Sequence, residues 1–155
     1  STHGGNISHG ITWNSLTFNI GAGVTGRYNI YADSGNFDKY IYSPDLSTNV
    51  QYLFRKINLT AAVHFKYNGK LPGYQVNADG SVSQFSNDSY RFLDATLRKG
   101  FFNEKVFVGA GIKNILNVTN VNAVSQGSAH SASGDQPAVG TGRTYFVRLQ
   151  YVIGK

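Results

Sequence analysis

The chain has 155 residues, a length that suggests one domain, and it contains no Cys and no Met. Charged residues make up 14% against about 25% in an ordinary soluble domain, while Gly (18), Tyr (10) and Phe (10) are abundant. The absence of Cys excludes disulfides and thiolate metal or redox chemistry, and no apolar run approaches the roughly 18 residues of a membrane helix.

Net charge is +6, yet no Lys/Arg run exceeds two residues, so nucleic acid is not an expected partner. There is no signal peptide and no initiator Met, which points to a mature, processed or partial chain. Helical periodicity is absent. Period-two alternation dominates instead and recurs six times.

The first segment spans residues 11–33. Leu16, Phe18, Ile20, Ala22, Val24, Tyr28 and Ile30 share one parity, and Thr17, Asn19, Gly21, Gly23, Thr25, Arg27 and Asn29 the other. Segment two, residues 45–56, sets Leu46, Val50, Tyr52 and Phe54 against Ser47, Asn49, Gln51 and Arg55. Segment three, residues 57–68, follows at once. Its Leu59, Ala61, Val63, Phe65 and Tyr67 oppose Thr60, Ala62, His64, Lys66 and Asn68, and the short link at 55–58 makes the two a hairpin.

A polar stretch from Asn68 to Ser89 reads as a loop, with Ala78-Asp79-Gly80-Ser81 as a turn at a hairpin tip. Segment four is 90–99, with Asp94, Thr96 and Arg98 on its polar face. The link 100–105 leads to segment five, 106–118, which carries Lys113 on that face. A Ser/Gly/Ala-rich loop over 119–141 precedes segment six, 143–153. There Arg143, Tyr145, Val147, Leu149, Tyr151 and Ile153 oppose Thr144, Phe146, Arg148, Gln150 and Val152.

Two regularities call for one explanation. Links alternate between long (34–44, 68–89, 119–141) and short (55–58, 100–105). Polar faces hold Arg27, Arg55, His64, Lys66, Asp94, Arg98, Lys113 and Arg148, whereas apolar faces carry charge only at segment ends, as at Arg91, Lys99 and Arg143. A membrane β-barrel predicts both, since its strands alternate lipid-facing with lumen-facing residues, one rim has short turns, and charge on the lipid face is tolerated only near the interfaces. Tyr52, Phe54, Phe65, Tyr67, Tyr145 and Tyr151 are the expected interface aromatics. Six strands cannot close such a barrel, because membrane barrels start at about 8 strands and open edges are costly in lipid. The alternative is a small soluble or oligomeric β-barrel that binds ligand in its interior.

The stretch Tyr90–Val121, "YRFLDATLRKGFFNEKVFVGAGIKNILNVTNV", resembles the penultimate hairpin of TonB-dependent outer-membrane receptors. Within it, "GIKNILNVTNV" is similar to the place where a strand of that family meets an extracellular loop. "GRTYFVRLQYVI" (Gly142–Ile153) resembles the family's C-terminal strand, although the family commonly ends on an aromatic residue and this chain reads Val152-Ile153-Gly154-Lys155. The loop "SQGSAHSASGDQPAVGTGRTYF" is similar to versions from Bacteroidetes-type Gram-negative bacteria.

The resemblance implies an all-β fold: an antiparallel up-and-down meander of six strands forming the C-terminal part of a 22-stranded transmembrane barrel whose plug domain lies outside this chain. It implies residence in the bacterial outer membrane and import of a scarce nutrient, with siderophore-iron, haem or cobalamin favoured over a glycan. The implied partners are the rest of the barrel and its plug, the TonB complex, outer-membrane lipid and, as a further candidate, a surface substrate-binding lipoprotein. In this reading the lumen-facing candidates are Arg27, His64, Lys66, Asp94, Arg98, Lys113 and Arg148, with Asp94 and Arg98 expected to form an ion pair. In the extracellular loops Tyr74, Phe85, His130 and Asp135 are the ligand candidates.

No catalytic constellation, cofactor or metal is expected. The four His (His3, His9, His64, His130) lack ligand spacing, and the Gly-x-Gly pairs at Gly21–Gly23 and Gly109–Gly111 do not sit between a strand and a helix.

Overall fold

The computed structural model describes residues 1–30, 32, 38–76, 79–120, 123–125 and 140–153. These form ten strands: β1 (Thr2–Trp13), β2 (Leu16–Tyr28), β3 (Tyr40–Phe54), β4 (Leu59–Asn68), β5 (Leu71–Val76), β6 (Val82–Asn87), β7 (Tyr90–Phe101), β8 (Val106–Lys113), β9 (Ala123–Ser125) and β10 (Thr144–Tyr151). One seven-stranded sheet runs β1-β2-β3-β4-β7-β8-β10, and β5, β6 and β9 make a second, small sheet. The seven strands pair antiparallel throughout and the sheet is not closed, so β1 and β10 each keep a free edge.

The all-β antiparallel meander is as expected, but the strand count is seven rather than six. Residues 11–33 are not one strand. The chain turns at Asn14-Ser15, where Asn14 takes a left-handed φ of 56° and Trp13 pairs with Leu16. A two-residue hairpin turn needs φ > 0, and Asn accepts it more readily than other side chains. The strand before that turn, β1, alternates too, but Gly5 and His9 interrupt its apolar parity of Ile7, Ile11 and Trp13.

Other boundaries also move. β3 starts at Tyr40, not Asp45, because Tyr40–Pro44 pair with Val24–Tyr28. β8 ends at Lys113, not at 118. Asn114 and Asn117 both adopt left-handed φ (52° and 56°), and the Asn114 amide donates to the Val118 carbonyl (2.8 Å) and accepts from its N–H (3.0 Å). The side chain thereby replaces the ladder and ends the strand. The turn foreseen at Asp79-Gly80 is present between β5 and β6, with Gly80 at φ 81°. The loop 119–141 contributes β9, which pairs with β6.

Register decides which faces meet. The row through Trp13 and Leu16 crosses Tyr52, Ala61, Leu97, Ala110 and Val147. The rows through Ile11 and Trp13 join apolar-parity residues on all seven strands, and the shorter rows keep the same parities together, so the apolar parities share one face of the sheet. Among the described residues no second layer covers that face. Among the described residues the only buried apolar one is Ala32, while Val147 is 81% and Leu149 73% exposed.

The short turns form a staircase. The β3–β4 turn lies two residues beyond the Trp13–Leu16 row (Phe54, Leu59), and the β7–β8 turn four residues beyond it (Phe101, Val106). At about 3.3 Å per residue and about 4.8 Å between strands, a step of two residues per two strands places all three tips at one level when the strands tilt by about 35°. That is the tilt of closed barrels, about 35–45°.

Candidate functional site

The polar face concentrates the chemistry. Near the long-link end, β2, β3 and β4 with the start of β5 and β7 bound a recess of about 360 Å³ whose lining includes Arg27, Ser43, Asp45, Lys66, Asn68 and Tyr90. It adjoins a second recess of about 260 Å³ that reaches Tyr74 and Asn29 past the shared Arg27 and Leu71.

The local sequence builds this corner. Gly69 donates its N–H to the Pro44 carbonyl (2.7 Å), and a Cβ at Gly69 would stand 2.6 Å from that oxygen, so only glycine lets β4 pass Pro44 and turn into β5. Gly23 faces Asp45 on the polar side, where a Cβ would lie 2.6 Å from the carboxylate, so the missing side chain is the space that carboxylate occupies.

Arg27 and Lys66 have no carboxylate within 4 Å among the described residues, nor do Arg98, Lys113 and Arg148. The recess therefore presents two cations without a direct ion-pair partner among the described residues, together with the Asp45 carboxylate and hydroxyl and amide groups. Tyr74 borders it with its phenol pushed above the ordinary value, first by burial and then by the Asp38 carboxylate, which keeps it a neutral hydrogen-bonding group.

A second cluster occupies the polar face of β7, β8 and β10. Arg98 and Arg148 both face Gly109, one from each side. The Arg98 guanidinium lies 3.7 Å from the Phe107 ring centroid, and the Lys113 ammonium 5.7 Å from that of Phe146. Cations stacked on rings are held in place while their remaining donors stay available.

The expected Asp94–Arg98 ion pair is absent. Four residues along a strand span about 13 Å, beyond the reach of the two side chains once Arg98 turns to Phe107. Asp94 instead accepts the Asn114 N–H at 2.7 Å and secures the end of β8. It is a structural acceptor, paired across the ladder with His64.

Arg27, His64, Lys66, Asp94, Arg98, Lys113 and Arg148 all share the polar face by register. Arg27 and Lys66 meet in one recess, and Arg98, Lys113 and Arg148 form the other group. Phe85 lies on β6 opposite Gly73, while His130 and Asp135 are outside the described residues.

Tyr52, Phe54, Phe65, Tyr67, Tyr145 and Tyr151 all fall on the apolar face, with Phe65 two residues inside the Tyr67 row. Sequence reasoning missed Trp13 and Phe101 beside the short turns, and the Tyr28–Tyr40–His3 ring cluster at the opposite end, with centroids 5.6 and 4.8 Å apart. Their parity relative to neighbouring strands was the available signal. Among the described residues no group of three His, Asp or Glu could hold a metal ion. Comparison with family models, with curated proteins and with solved structures finds no match to this chain.

Proposed function

We propose that the seven-stranded sheet is part of the wall of a membrane-spanning β-barrel, with its apolar face toward lipid and its polar face toward the lumen. The observation that carries this reading is a largely apolar face with no protein layer over it among the described residues, bounded by charge at two levels. On β7 the two apolar-face cations are Arg91 and Lys99. Eight residues at about 3.3 Å and a tilt of about 35° separate them by about 22 Å along the membrane normal, close to the roughly 25 Å apolar band of outer-membrane barrels.

Both cations lean on rings near the rims. Arg91 lies 6.0 Å from the Tyr67 centroid, and Lys99 5.4 Å from that of Phe101, which is the last residue of β7 before the short turn. Long cationic side chains reach toward the interface in this way. The free edges of β1 and β10 support further strands in the complete wall, since unpaired backbone groups cost several kcal/mol each in lipid.

The resemblance of Tyr90–Ile153 to TonB-dependent receptors gives the wall its proposed role. The chain supplies the last seven strands of an energised importer of a scarce nutrient, with iron chelates, haem or cobalamin ahead of glycans. Short turns face the periplasm, and the β5–β6 hairpin stands on the extracellular side. Substrate is captured outside and passes after rearrangement of a plug driven by the TonB complex. The recess at Arg27 and Lys66 lies at the extracellular mouth, where it meets either plug carboxylates or an anionic substrate.

Fractionation and accessibility test this function. The protein at its natural length is expected in the outer membrane and extractable only with detergent. Single Cys at Val63 should be shielded from aqueous maleimide, and Cys at Thr96 should react. Recovery from the soluble fraction overturns the membrane reading and favours the soluble ligand-binding barrel. Uptake that persists without the TonB complex overturns the energised importer and leaves a passive channel.

A further inference from the structure

The apolar face is not evenly filled. Ala61 on β4, Ala95 on β7 and Ala110 on β8 lie on adjacent strands, with Ala61 and Ala110 both opposite Leu97 and Ala95 opposite Val63 and Ile112. The small side chains leave a groove of about 560 Å³, walled on its β10 side by Tyr145 and Val147.

Two cations stand above the end of this groove nearer the long links. Arg91 precedes Ala95 by four residues. Arg143 precedes Tyr145 by two, and Tyr145 shares the row of Ala95 through Ile112. The two-residue stagger across two strands equals that of the short turns, so the tilt that levels the turns also levels Arg91 with Arg143. Their Cα atoms stand about 12 Å apart by strand spacing and rise, within reach of one group placed between them.

Both arginines are exposed, and neither has a carboxylate within 4 Å among the described residues. Arg143 is braced: its Nε and Nη2 donate to the Ile115 carbonyl at 3.1 and 2.7 Å, which orients the guanidinium and leaves its other edge open. Arg91 is braced against Tyr67.

We propose that the alanine groove and these two arginines form one seat for a phosphate-bearing membrane lipid on the long-link side. An acyl chain lies in the groove, and the headgroup phosphate sits between Arg91 and Arg143. The occupant is identified by charge complementarity above and apolar shape below. An anion alone would not need the groove, and a neutral lipid would leave two cations without a counter-charge at the rim. Guanidinium–phosphate hydrogen bonds are charge-assisted and stronger than neutral ones, which selects this lipid over its neighbours. The seat rests on the membrane reading above.

The test uses the natural-length protein, extracted in mild detergent and analysed by native mass spectrometry with an organic-phosphate assay. The wild-type protein should retain about one phosphate-bearing lipid, and the double variant Arg91→Gln/Arg143→Gln should lower retention about tenfold. Ala110→Leu, which fills the groove without altering charge, should lower it as well, with heat-modifiable migration confirming that each variant is folded. Equal retention by wild type and both variants, or no retained lipid at all, overturns the seat and leaves the barrel standing. A polypeptide retained in place of lipid also overturns it. Extraction without detergent overturns the membrane reading beneath it.

Discussion

An arginine placed at successive positions along β4 tests the orientation of the proposed wall. Val63 is on the apolar face, four residues from Leu59 at one end of the strand and four from Tyr67 near the other. In the proposed barrel wall, with a rise of about 3.3 Å and a tilt of about 35°, it lies about 11 Å inside each rim of the band, near mid-depth. Val63→Arg should therefore destabilise the folded protein in vesicles by about 2–4 kcal/mol, and Tyr67→Arg, at the interface, by about 0–1 kcal/mol from charge. Ala62→Arg is one residue away on the opposite face, between Gln51 and Thr96, and should change stability by less than about 0.5 kcal/mol. The assay is reversible denaturant unfolding of the natural-length protein in lipid vesicles, followed by fluorescence and heat-modifiable migration. A cost at Ala62 equal to or above that at Val63 refutes the assignment of faces. Equal costs at Val63 and Tyr67 refute the depth argument, because a protein core would charge for burial and not for distance from a rim.

Three further outcomes follow from particular contacts. Asn114→Ala removes both hydrogen bonds to Val118 at a site only 7% exposed, and should cost about 1–3 kcal/mol in the same unfolding assay. Gly69→Ala cannot fit beside the Pro44 carbonyl and should reduce β5–β6 hairpin protection in hydrogen exchange while leaving β7, β8 and β10 unchanged. At the hairpin tip the Ser81 hydroxyl (2.6 Å) and N–H (2.9 Å) hold the Asp79 carboxyl below its usual range. Its folded pKa is depressed, so the contribution to tip order is present above the ordinary carboxylate pKa and lost as pH falls through the lowered value. An NMR titration midpoint for Asp79 at or above about 3.9 would contradict this.

Much of the sheet was legible in the sequence because side-chain parity is a local property of an extended backbone. The polar-face set from Arg27 to Arg148, the six aromatics on the apolar face, the Arg55–Asn58 hairpin and the alternation of long and short links all depend on neighbours within a few residues. The same locality explains the failures. One glycine and two histidines (Gly5, His3 and His9) thin the apolar parity of β1, so its strand character emerges only from pairing with β2, and the turn at Asn14 was hidden inside a longer alternation. The Asn114 side chain, not the loss of alternation, ends β8. Asp94 and Arg98 look like a pair in one dimension and are separated in three.

The sequence by itself determined which residues share a face within each strand, because a period of two is set by the pleat. Only the tertiary structure decided how those faces combine. Register is a matter of hydrogen bonds between residues far apart in the chain, and a slip of one position would have set apolar against polar on every strand. That register joins seven apolar stripes into one surface left uncovered by the described residues, staggers the short turns, and brings Arg91, Arg143 and the three alanines onto one patch that no local pattern announces.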